Sequence, residues 1–222
     1  MRLSEIFEGI EGEGVRIGTL QLFIRLFGCH VKCRTCDSKY TWDTAKNRKD
    51  LFEKTPIQLF QEYIQRSPLK WVSITGGDPL LQREELIELL RLLQWDVKAV
   101  NIEATGLADD PEVFELCDFI SADIKTPNTG VQYDTAITET LYSNYKGKIQ
   151  FKAVIADLDD ILFLRTHFLK TDIPVILTPC WEPKKKLQLD LGIIKTLLKE
   201  APTWRMILQQ HKTVASPSAR CI

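Results

Sequence analysis

The chain has 222 residues, 44% of them hydrophobic, and its 29 basic side chains are balanced by 30 acidic ones. The formal net charge of −1 excludes a general electrostatic attraction to nucleic acid or to an anionic membrane. This length suits one well-buried core, so we expect a single domain over residues 1–222. The amino terminus lacks the apolar core of a signal peptide, and no apolar run reaches the ~18 residues that span a bilayer, which predicts a cytoplasmic protein.

Segments typical of strands and helices alternate along the chain, which is the pattern of a parallel sheet built from βαβ units. Apolar runs predict strands at 20–26, 71–75, 99–103, 119–123, 149–155, 174–178 and 205–208. Apolar positions at helical spacing predict helices over 83–93, 158–169 and 187–198. Six or so such units are too few for a closed eight-fold barrel. We therefore expect an α/β fold, an open and partial (β/α)6 barrel with its reactive groups at the carboxyl ends of the strands.

Three cysteines follow the first of these strands with the spacing Cys29-x3-Cys33-x2-Cys36. Three thiolates do not complete the four-ligand cage of structural zinc, whereas a [4Fe–4S] cluster on three cysteines keeps one iron open to a substrate or cofactor. The alternative is a zinc site completed by a fourth ligand, in a binding or electron-transfer protein. Candidates for that ligand are His30, Cys117, Cys180 and Cys221.

Glycines and polar residues follow the later strands. Gly76 and Gly77 come after the strand at 71–75, where the lack of a β-carbon lets the backbone approach a ligand closely. The next strand ends carry groups suited to hydrogen-bonding a ribose, an adenine or a carboxylate. These groups include Glu103, Asp123, Lys125 and Thr178. An ordinary capped loop with a solvated lysine is the alternative interpretation.

The cysteine spacing, with Tyr40 a few positions on, resembles the cluster loop of the radical S-adenosylmethionine (SAM) enzymes. The resemblance implies that Cys29, Cys33 and Cys36 bind the cluster and that the open iron chelates the methionine portion of SAM. An electron from the cluster then cleaves SAM and starts a radical reaction. The SAM contacts that the resemblance implies are Thr35, Asp37, Gly77, Glu103, Asp123, Lys125, Thr178, Pro179, Cys180 and Trp181.

Further motifs narrow the reaction. They are the acidic glycine-rich segment 7–14, Arg25, the run Asp37-Ser38-Lys39-Tyr40 and the run Gln209-Gln210-His211-Lys212. Glu11 and Glu13 on a turn can pair with the N–H groups of a guanine-like heterocycle, and Arg25 can fork onto a carboxylate. An ordinary acidic turn is the alternative for this segment. Together the motifs resemble the 7-carboxy-7-deazaguanine synthases over nearly the whole chain.

This resemblance implies a lyase that converts 6-carboxy-5,6,7,8-tetrahydropterin into 7-carboxy-7-deazaguanine and ammonia, on the pathway to deazaguanine bases such as queuosine or archaeosine. It implies Mg²⁺ at the Ser38 hydroxyl, an electron donor such as flavodoxin or ferredoxin, and a homodimer. The implied substrate contacts are Ile10, Glu11, Gly12, Glu13, Arg25, Thr75 and Pro217. A different small radical SAM enzyme, such as a glycyl-radical activase, is the alternative. The acidic turn, Arg25 and Ser38 argue against it, because an activase needs an open mouth for a protein backbone.

The chain departs from the family pattern in three places. Glu11 stands where the family usually has glutamine, which adds a negative charge beside an anionic substrate unless the carboxyl is protonated or paired. Ser38 replaces a threonine and keeps the hydroxyl oxygen. Residues 218–222 follow Pro217, so this proline has no terminal carboxylate to offer to the substrate.

Overall fold

The computed structural model describes residues 1–43, 51–180, 191–210 and 212. Within these residues nine strands form one sheet, in the order β3-β1-β2-β4-β5-β6-β7-β8-β9. The strands are β1 Arg2–Ile10, β2 Leu20–Leu26, β3 Phe52–Glu53, β4 Trp71–Gly76, β5 Ala99–Ala104, β6 Phe119–Ile124, β7 Ile149–Ile155, β8 Val175–Pro179 and β9 Arg205–Met206. The series from β2 through β4 to β9 is parallel, while β1 and β3 add antiparallel strands at one edge.

Helices connect the parallel strands. They are α1 Pro56–Leu59, α2 Arg83–Leu93, α3 Pro111–Glu115, α4 Ala136–Tyr145, α5 Leu158–Phe168 and α6 Leu191–Glu200. Side-chain oxygens of Thr55, Asp110 and Asp157 accept backbone N–H groups in the first turns of α1, α3 and α5, which satisfies donors that a helix start leaves unpaired. No helix in the described ranges has both the length and the apolar character needed to cross a membrane.

The two faces of the sheet differ in polarity, because successive side chains along a strand point to opposite faces. On one face Ile24, Ile74 and Ile102 are fully buried and join helix residues in a single apolar cluster. Burying a side chain of this size contributes about 1.5–3 kcal/mol. The other face is polar although it is also buried. Its buried residues are Gln21, Ser73, Asn101, Ser121, Gln150 and Lys152.

The sheet curves around this polar face. The backbone N–H of Val15, in the turn between β1 and β2, donates to Gln150 Oε1 on β7 at 2.8 Å. Three strands separate β2 from β7 in the sheet, so this contact requires a concave sheet. Gly14 makes the approach possible: its φ is +69°, and a β-carbon there would lie 2.3 Å from Gln150 Nε2. The predicted α/β architecture, an open and partial barrel, is confirmed.

Most predicted elements are present with small shifts at their ends. The predicted strands at 20–26 and 149–155 and the helix over 83–93 have the observed bounds, while β8 and β9 differ from prediction by one or two residues. Residues 187–190 of the predicted helix over 187–198 lie outside the described residues. Residues 7–10, expected in a turn, instead belong to β1. Glutamate and glycine are depleted in strands, and β1 forms through its long-range pairing with β2.

Candidate functional site

The three cysteines lie in the loop after β2, at the end of the sheet where the parallel strands terminate. Cys29, Cys33 and Cys36 are free thiols of intermediate exposure. Burial raises the pKa of the Cys33 and Cys36 thiols, and coordination to a metal would deprotonate them outright. Within the described residues, no group of three or more His, Cys, Asp or Glu side chains is arranged to hold a single metal ion. Three thiolates on one loop have the ligand chemistry of an iron–sulfur cluster.

The cysteine loop is held from two sides by backbone hydrogen bonds. The Asp78 N–H donates to the Gly28 carbonyl at 2.7 Å, which joins the loop to the turn after β4. The Arg34 N–H donates to the Thr129 carbonyl at 2.9 Å, which joins the loop to the turn after β6. The loop geometry therefore depends on the turns after β4 and β6.

The candidate fourth ligands for zinc are engaged elsewhere or distant in the fold. His30 Nδ1 lies 3.1 Å from Asp78 Oδ2. Cys117 is buried and donates to the Val113 carbonyl just before β6, at the opposite end of the sheet from the cysteine loop. Cys180 follows β8, and four strands separate β8 from β2. Cys221 lies outside the described residues.

The two glycines after β4 pack against backbone. A β-carbon on Gly76 would lie 2.2 Å from the Leu26 carbonyl oxygen, and one on Gly77 would lie 2.0 Å from the Gly28 carbonyl oxygen. The space beside these glycines, where the sequence predicted a ligand, is thus filled by the backbone of β2 and the cysteine loop. A contact between Gly77 and SAM stays a prediction.

An ion pair with a buried lysine lies at the end of β6. Lys125 Nζ lies 2.8 Å from Asp123 Oδ2, and Lys125 is only 8% exposed, so the solvated lysine of the alternative interpretation is wrong. Burial lowers the pKa of Lys125, but the charges of Asp123 and the nearby Cys33 outweigh burial and raise the pKa above its usual value. Lys125 therefore stays protonated. The pair therefore places a fixed charge beside the cysteine loop.

Of the remaining predicted SAM contacts, Thr35 lies in the cysteine loop, and Thr178 and Pro179 lie at the end of β8. Thr35 donates to Asn128 Oδ1 at 2.8 Å, at the junction with the turn after β6. Thr178 Oγ1 on β8 is buried and has no hydrogen-bond partner among the described residues. An orphaned buried hydroxyl costs free energy unless a ligand or water satisfies it, so this position fits a polar cofactor. Pro179 ends β8, Cys180 is buried behind it, and Trp181 lies outside the described residues.

Lys152 on β7 joins the acidic turn to the sheet. Its Nζ lies 3.0 Å from Glu13 Oε2 and 2.7 Å from Glu103 Oε2. Burial lowers the pKa of Lys152, but the two carboxylates raise it well above its usual range. Gln209 Nε2 donates to the other oxygen of Glu13 at 2.5 Å. The turn, β7 and the carboxyl-terminal motif therefore meet at the Glu13 carboxylate, and β5 joins them through Lys152.

Glu11 is buried in the same cluster. Its Oε1 accepts the Glu13 backbone N–H at 3.1 Å, and its Oε2 accepts Gln21 Nε2 at 2.6 Å. Gln21 Oε1 in turn accepts Arg16 Nη2 at 2.7 Å, which fixes the orientation of the Gln21 amide. Burial and the charge of Glu103 raise the pKa of Glu11 to about 7.

The carboxyl-terminal motif also reaches the cysteine loop. Lys212 pairs with Asp37, and the Ser38 hydroxyl donates to Asp37 Oδ1 at 2.9 Å. Burial alone would raise the pKa of Asp37, but Lys212 brings it down to about 2. The Gln210 N–H donates to the Gly12 carbonyl at 2.9 Å. His211 and Pro217 lie outside the described residues.

Arg25 on β2 faces the same region. Its Nε donates to Glu5 Oε2 at 3.0 Å, and the Tyr40 hydroxyl donates to the same oxygen at 2.9 Å. Thr75 is the register partner of Arg25 on β4. Among the described residues no hydrogen bond is formed by the two terminal nitrogens of Arg25, which leaves the fork that a carboxylate recognises. Ile10, at the end of β1, is half exposed.

Comparisons with known proteins agree with this site. The family described as a 4Fe-4S single cluster domain matches residues 10–108, which contain the three cysteines. A protein of Archaeoglobus fulgidus named 7-carboxy-7-deazaguanine synthase is 30% identical over 226 residues, covering 95% of this chain and 96% of its own length. This chain belongs to the 7-carboxy-7-deazaguanine synthase family. The expected radical SAM lyase activity is confirmed with the family.

One further relative and one solved structure are also similar to this chain. A Methanospirillum hungatei protein of the same name is 29% identical over 222 residues, covering 98% of this chain and 86% of its own length. The crystal structure of QueE from Escherichia coli superposes with a TM-score of 0.65 at 23% identity, covering 95% of this chain and 94% of that one. The second likeness confirms the fold. The [4Fe–4S] cluster and SAM are the cofactors that the family match and the site chemistry support.

Several residues of the polar face escaped the sequence reasoning. They are Gln21, Ser73, Asn101, Ser121, Gln150 and Lys152. Each of these residues has apolar neighbours inside its strand, so the alternation of polar and apolar residues is the pattern by which the sequence could have identified them. Only the curvature of the sheet shows that these side chains face one another.

Proposed function

We propose that this enzyme converts 6-carboxy-5,6,7,8-tetrahydropterin into 7-carboxy-7-deazaguanine and ammonia, as a radical SAM lyase of 7-deazapurine biosynthesis. The observation that carries the proposal is the meeting of distant motifs at the polar face. Gln209 contacts Glu13 of the acidic turn, and Lys212 contacts Asp37 of the cysteine loop. The acidic turn and the cysteine loop are therefore organised by the same carboxyl-terminal motif.

The cofactors take the carboxyl ends of the strands. Cys29, Cys33 and Cys36 hold the cluster, which supplies one electron for the cleavage of SAM that starts the reaction. The Asp123–Lys125 ion pair and the unpaired hydroxyl of Thr178 offer charged and polar contacts for SAM. The further SAM contacts of this proposal are Thr35, Asp37, Gly77, Glu103, Pro179, Cys180 and Trp181.

The pterin lies against the acidic turn in this proposal. Arg25 binds its carboxylate through the two terminal guanidinium nitrogens, while Glu5 holds the Nε end in place. Glu11, Glu13 and Thr75 meet the polar edge of the heterocycle. Lys152 keeps Glu13 ionised, because it lowers the pKa of that carboxyl against the effect of burial. A carboxylate fixed in this way accepts N–H groups of a guanine-like ring.

Mg²⁺ fits at Ser38 in this proposal. The Ser38 hydroxyl and the Asp37 carboxylate are adjacent hard oxygen groups, and Mg²⁺ commonly takes only one or two ligands from protein. Pairing with Lys212 holds Asp37 in its ionised form. The substrate and water would complete the octahedron.

Other aspects of the enzyme are proposed from the sequence pattern and from family resemblance. We infer a single domain, a homodimer, a cytoplasmic location and reduction by a protein such as flavodoxin or ferredoxin. Pro217 is an expected substrate contact whose role depends on the five residues that follow it.

The proposed reaction is tested with anaerobically reconstituted enzyme. Cluster-loaded protein is incubated with SAM, the pterin, Mg²⁺ and a strong reductant, and the product is identified by mass spectrometry. We expect 7-carboxy-7-deazaguanine, with SAM not consumed in proportion to product. Cleavage of SAM without any deazaguanine product contradicts the substrate assignment. Formation of a protein glycyl radical, seen by EPR, would instead favour the activase alternative.

A further inference from the structure

Among the described residues, the polar face has more carboxyl groups than cations that form ion pairs with them. Glu11, Glu13 and Glu103 surround one ammonium, that of Lys152. Its two ion pairs go to Glu13 and Glu103, at 3.0 and 2.7 Å. Among the described residues, no ion pair is formed by Glu11. Three ionised carboxylates would therefore leave one negative charge without a direct partner inside the protein.

The hydrogen bonds to Glu11 come from neutral groups. The backbone N–H of Glu13 and the side-chain amide of Gln21 donate to its two oxygens. The guanidinium of Arg16, which interacts electrostatically with Glu11, donates its hydrogen bond to Gln21 Oε1 and lies over the Trp71 ring. A buried charge with only neutral donors is unfavourable compared with the protonated form.

Every charged group that faces Glu11 bears on this balance. Glu13 on the same turn and Glu103 on β5 favour the protonated form, while Lys152 on β7 and the guanidinium of Arg16 oppose it. Glu11 is 8% exposed, so water screens these interactions little. Burial and Glu103 outweigh Lys152 and raise the pKa of Glu11 to about 7.

Protonation changes what Glu11 offers to a ligand. A carboxylate only accepts hydrogen bonds, whereas a carboxylic acid has one O–H donor and remaining acceptor capacity. Glutamine presents the same combination, an N–H donor and a carbonyl acceptor, on a side chain of the same length. A protonated Glu11 therefore replaces the family's usual glutamine without adding a charge.

We propose that Glu11 is a neutral carboxylic acid in the folded enzyme and that it recognises the pterin by donating its O–H to a ring nitrogen or carbonyl oxygen. The second half of this inference rests on the proposed function. Loss of the proton at higher pH removes the donor and adds a negative charge beside an anionic substrate. Glu11 thus makes pterin affinity depend on pH in this enzyme.

The test compares wild type with Glu11→Gln in the cluster-loaded, SAM-bound enzyme. The fraction of Glu11 that is protonated falls about tenfold between pH 6 and pH 8. We therefore expect the wild-type dissociation constant for the pterin to rise about tenfold over that range. Glu11→Gln should show no such rise. Glu88→Gln, which changes an exposed carboxylate on α2, should keep the wild-type pH profile. Equal pH profiles for wild type and Glu11→Gln would overturn the proposal.

Infrared difference spectra provide a readout that needs no substrate. At pH 6 the wild-type enzyme should have a protonated-carboxyl C=O band that fades by pH 8 and is missing from Glu11→Gln. If Glu11→Gln does not fold, ¹³C-glutamate labelling of wild type identifies the band. The absence of a titrating glutamate band would then overturn the proposal. If the infrared band is present but no deazaguanine product forms, the proposed function is contradicted and the protonation of Glu11 is supported. Product without the band contradicts the proton alone.

Discussion

Gly77 packs so closely against Gly28 that a β-carbon on Gly77 would lie 2.0 Å from the Gly28 carbonyl oxygen. Gly28 directly precedes the first cysteine, and its carbonyl also accepts the Asp78 N–H at 2.7 Å. The turn after β4 and the cysteine loop therefore share one backbone contact. A side chain on Gly77 would push the loop away before it met any cofactor.

We expect Gly77→Ala to lose cluster iron and to lower the free energy of unfolding by about 1–3 kcal/mol, because the added methyl group overpacks against backbone. Iron per protein and denaturant unfolding measure the two effects. Gly147→Ala is the matched control: nothing lies within 4 Å of its β-carbon position, so only the strain of its φ of +103° remains. Full iron content with weakened SAM binding in Gly77→Ala would mean that Gly77 acts on the cofactor directly.

The three loop cysteines should each be required for the cluster. We expect Cys29→Ala, Cys33→Ala and Cys36→Ala to abolish SAM cleavage and the cluster's optical and EPR signals, because a three-cysteine cluster has no spare protein ligand. Cys117→Ala should retain the signals, since Cys117 is buried at the opposite end of the sheet. Stoichiometric zinc without iron in anaerobically purified protein would refute the cluster assignment.

The parallel strands were predictable because each one is a local apolar run, such as 149–155. The site was predictable where motifs are local, as at Cys29, Cys33 and Cys36. Lys152 was not predictable as a site residue, because its partners Glu13 and Glu103 lie 139 and 49 positions away along the chain. Such partners meet only when the sheet curves.

The Ser38 hydroxyl should act on the metal and not on SAM. If it binds Mg²⁺, Ser38→Ala should lower turnover and weaken the response to Mg²⁺ while leaving SAM affinity unchanged. Ser38→Thr is the control, because it keeps the hydroxyl oxygen. An identical Mg²⁺ dependence in wild type and Ser38→Ala would remove Ser38 from the metal site.

The guanidinium of Arg25 should be needed for its shape as well as its charge. Arg25→Lys removes the fork that matches a carboxylate, and we expect KM for the pterin to rise about ten- to a hundredfold. Arg25→Ala should lose more, since it also leaves Glu5 without its guanidinium partner. Arg91→Lys, an exposed position on α2, should leave KM unchanged. Wild-type kinetics in Arg25→Lys would show that another group binds the carboxylate.

Lys152 should hold the polar face together. Lys152→Met keeps an unbranched side chain one atom shorter but leaves Glu13 and Glu103 without their shared, buried ammonium, so we expect the free energy of unfolding to fall by about 3–5 kcal/mol at pH 7. Removing one of the two carboxylates that have lost their partner should restore part of the lost stability. We therefore expect the double variant Lys152→Met/Glu103→Gln to be more stable than Lys152→Met alone. Denaturant unfolding of wild type, the two single variants Lys152→Met and Glu103→Gln, and the double variant measures this coupling. Equal stability of wild type and Lys152→Met would mean that solvent, and not Lys152, neutralises these carboxylates.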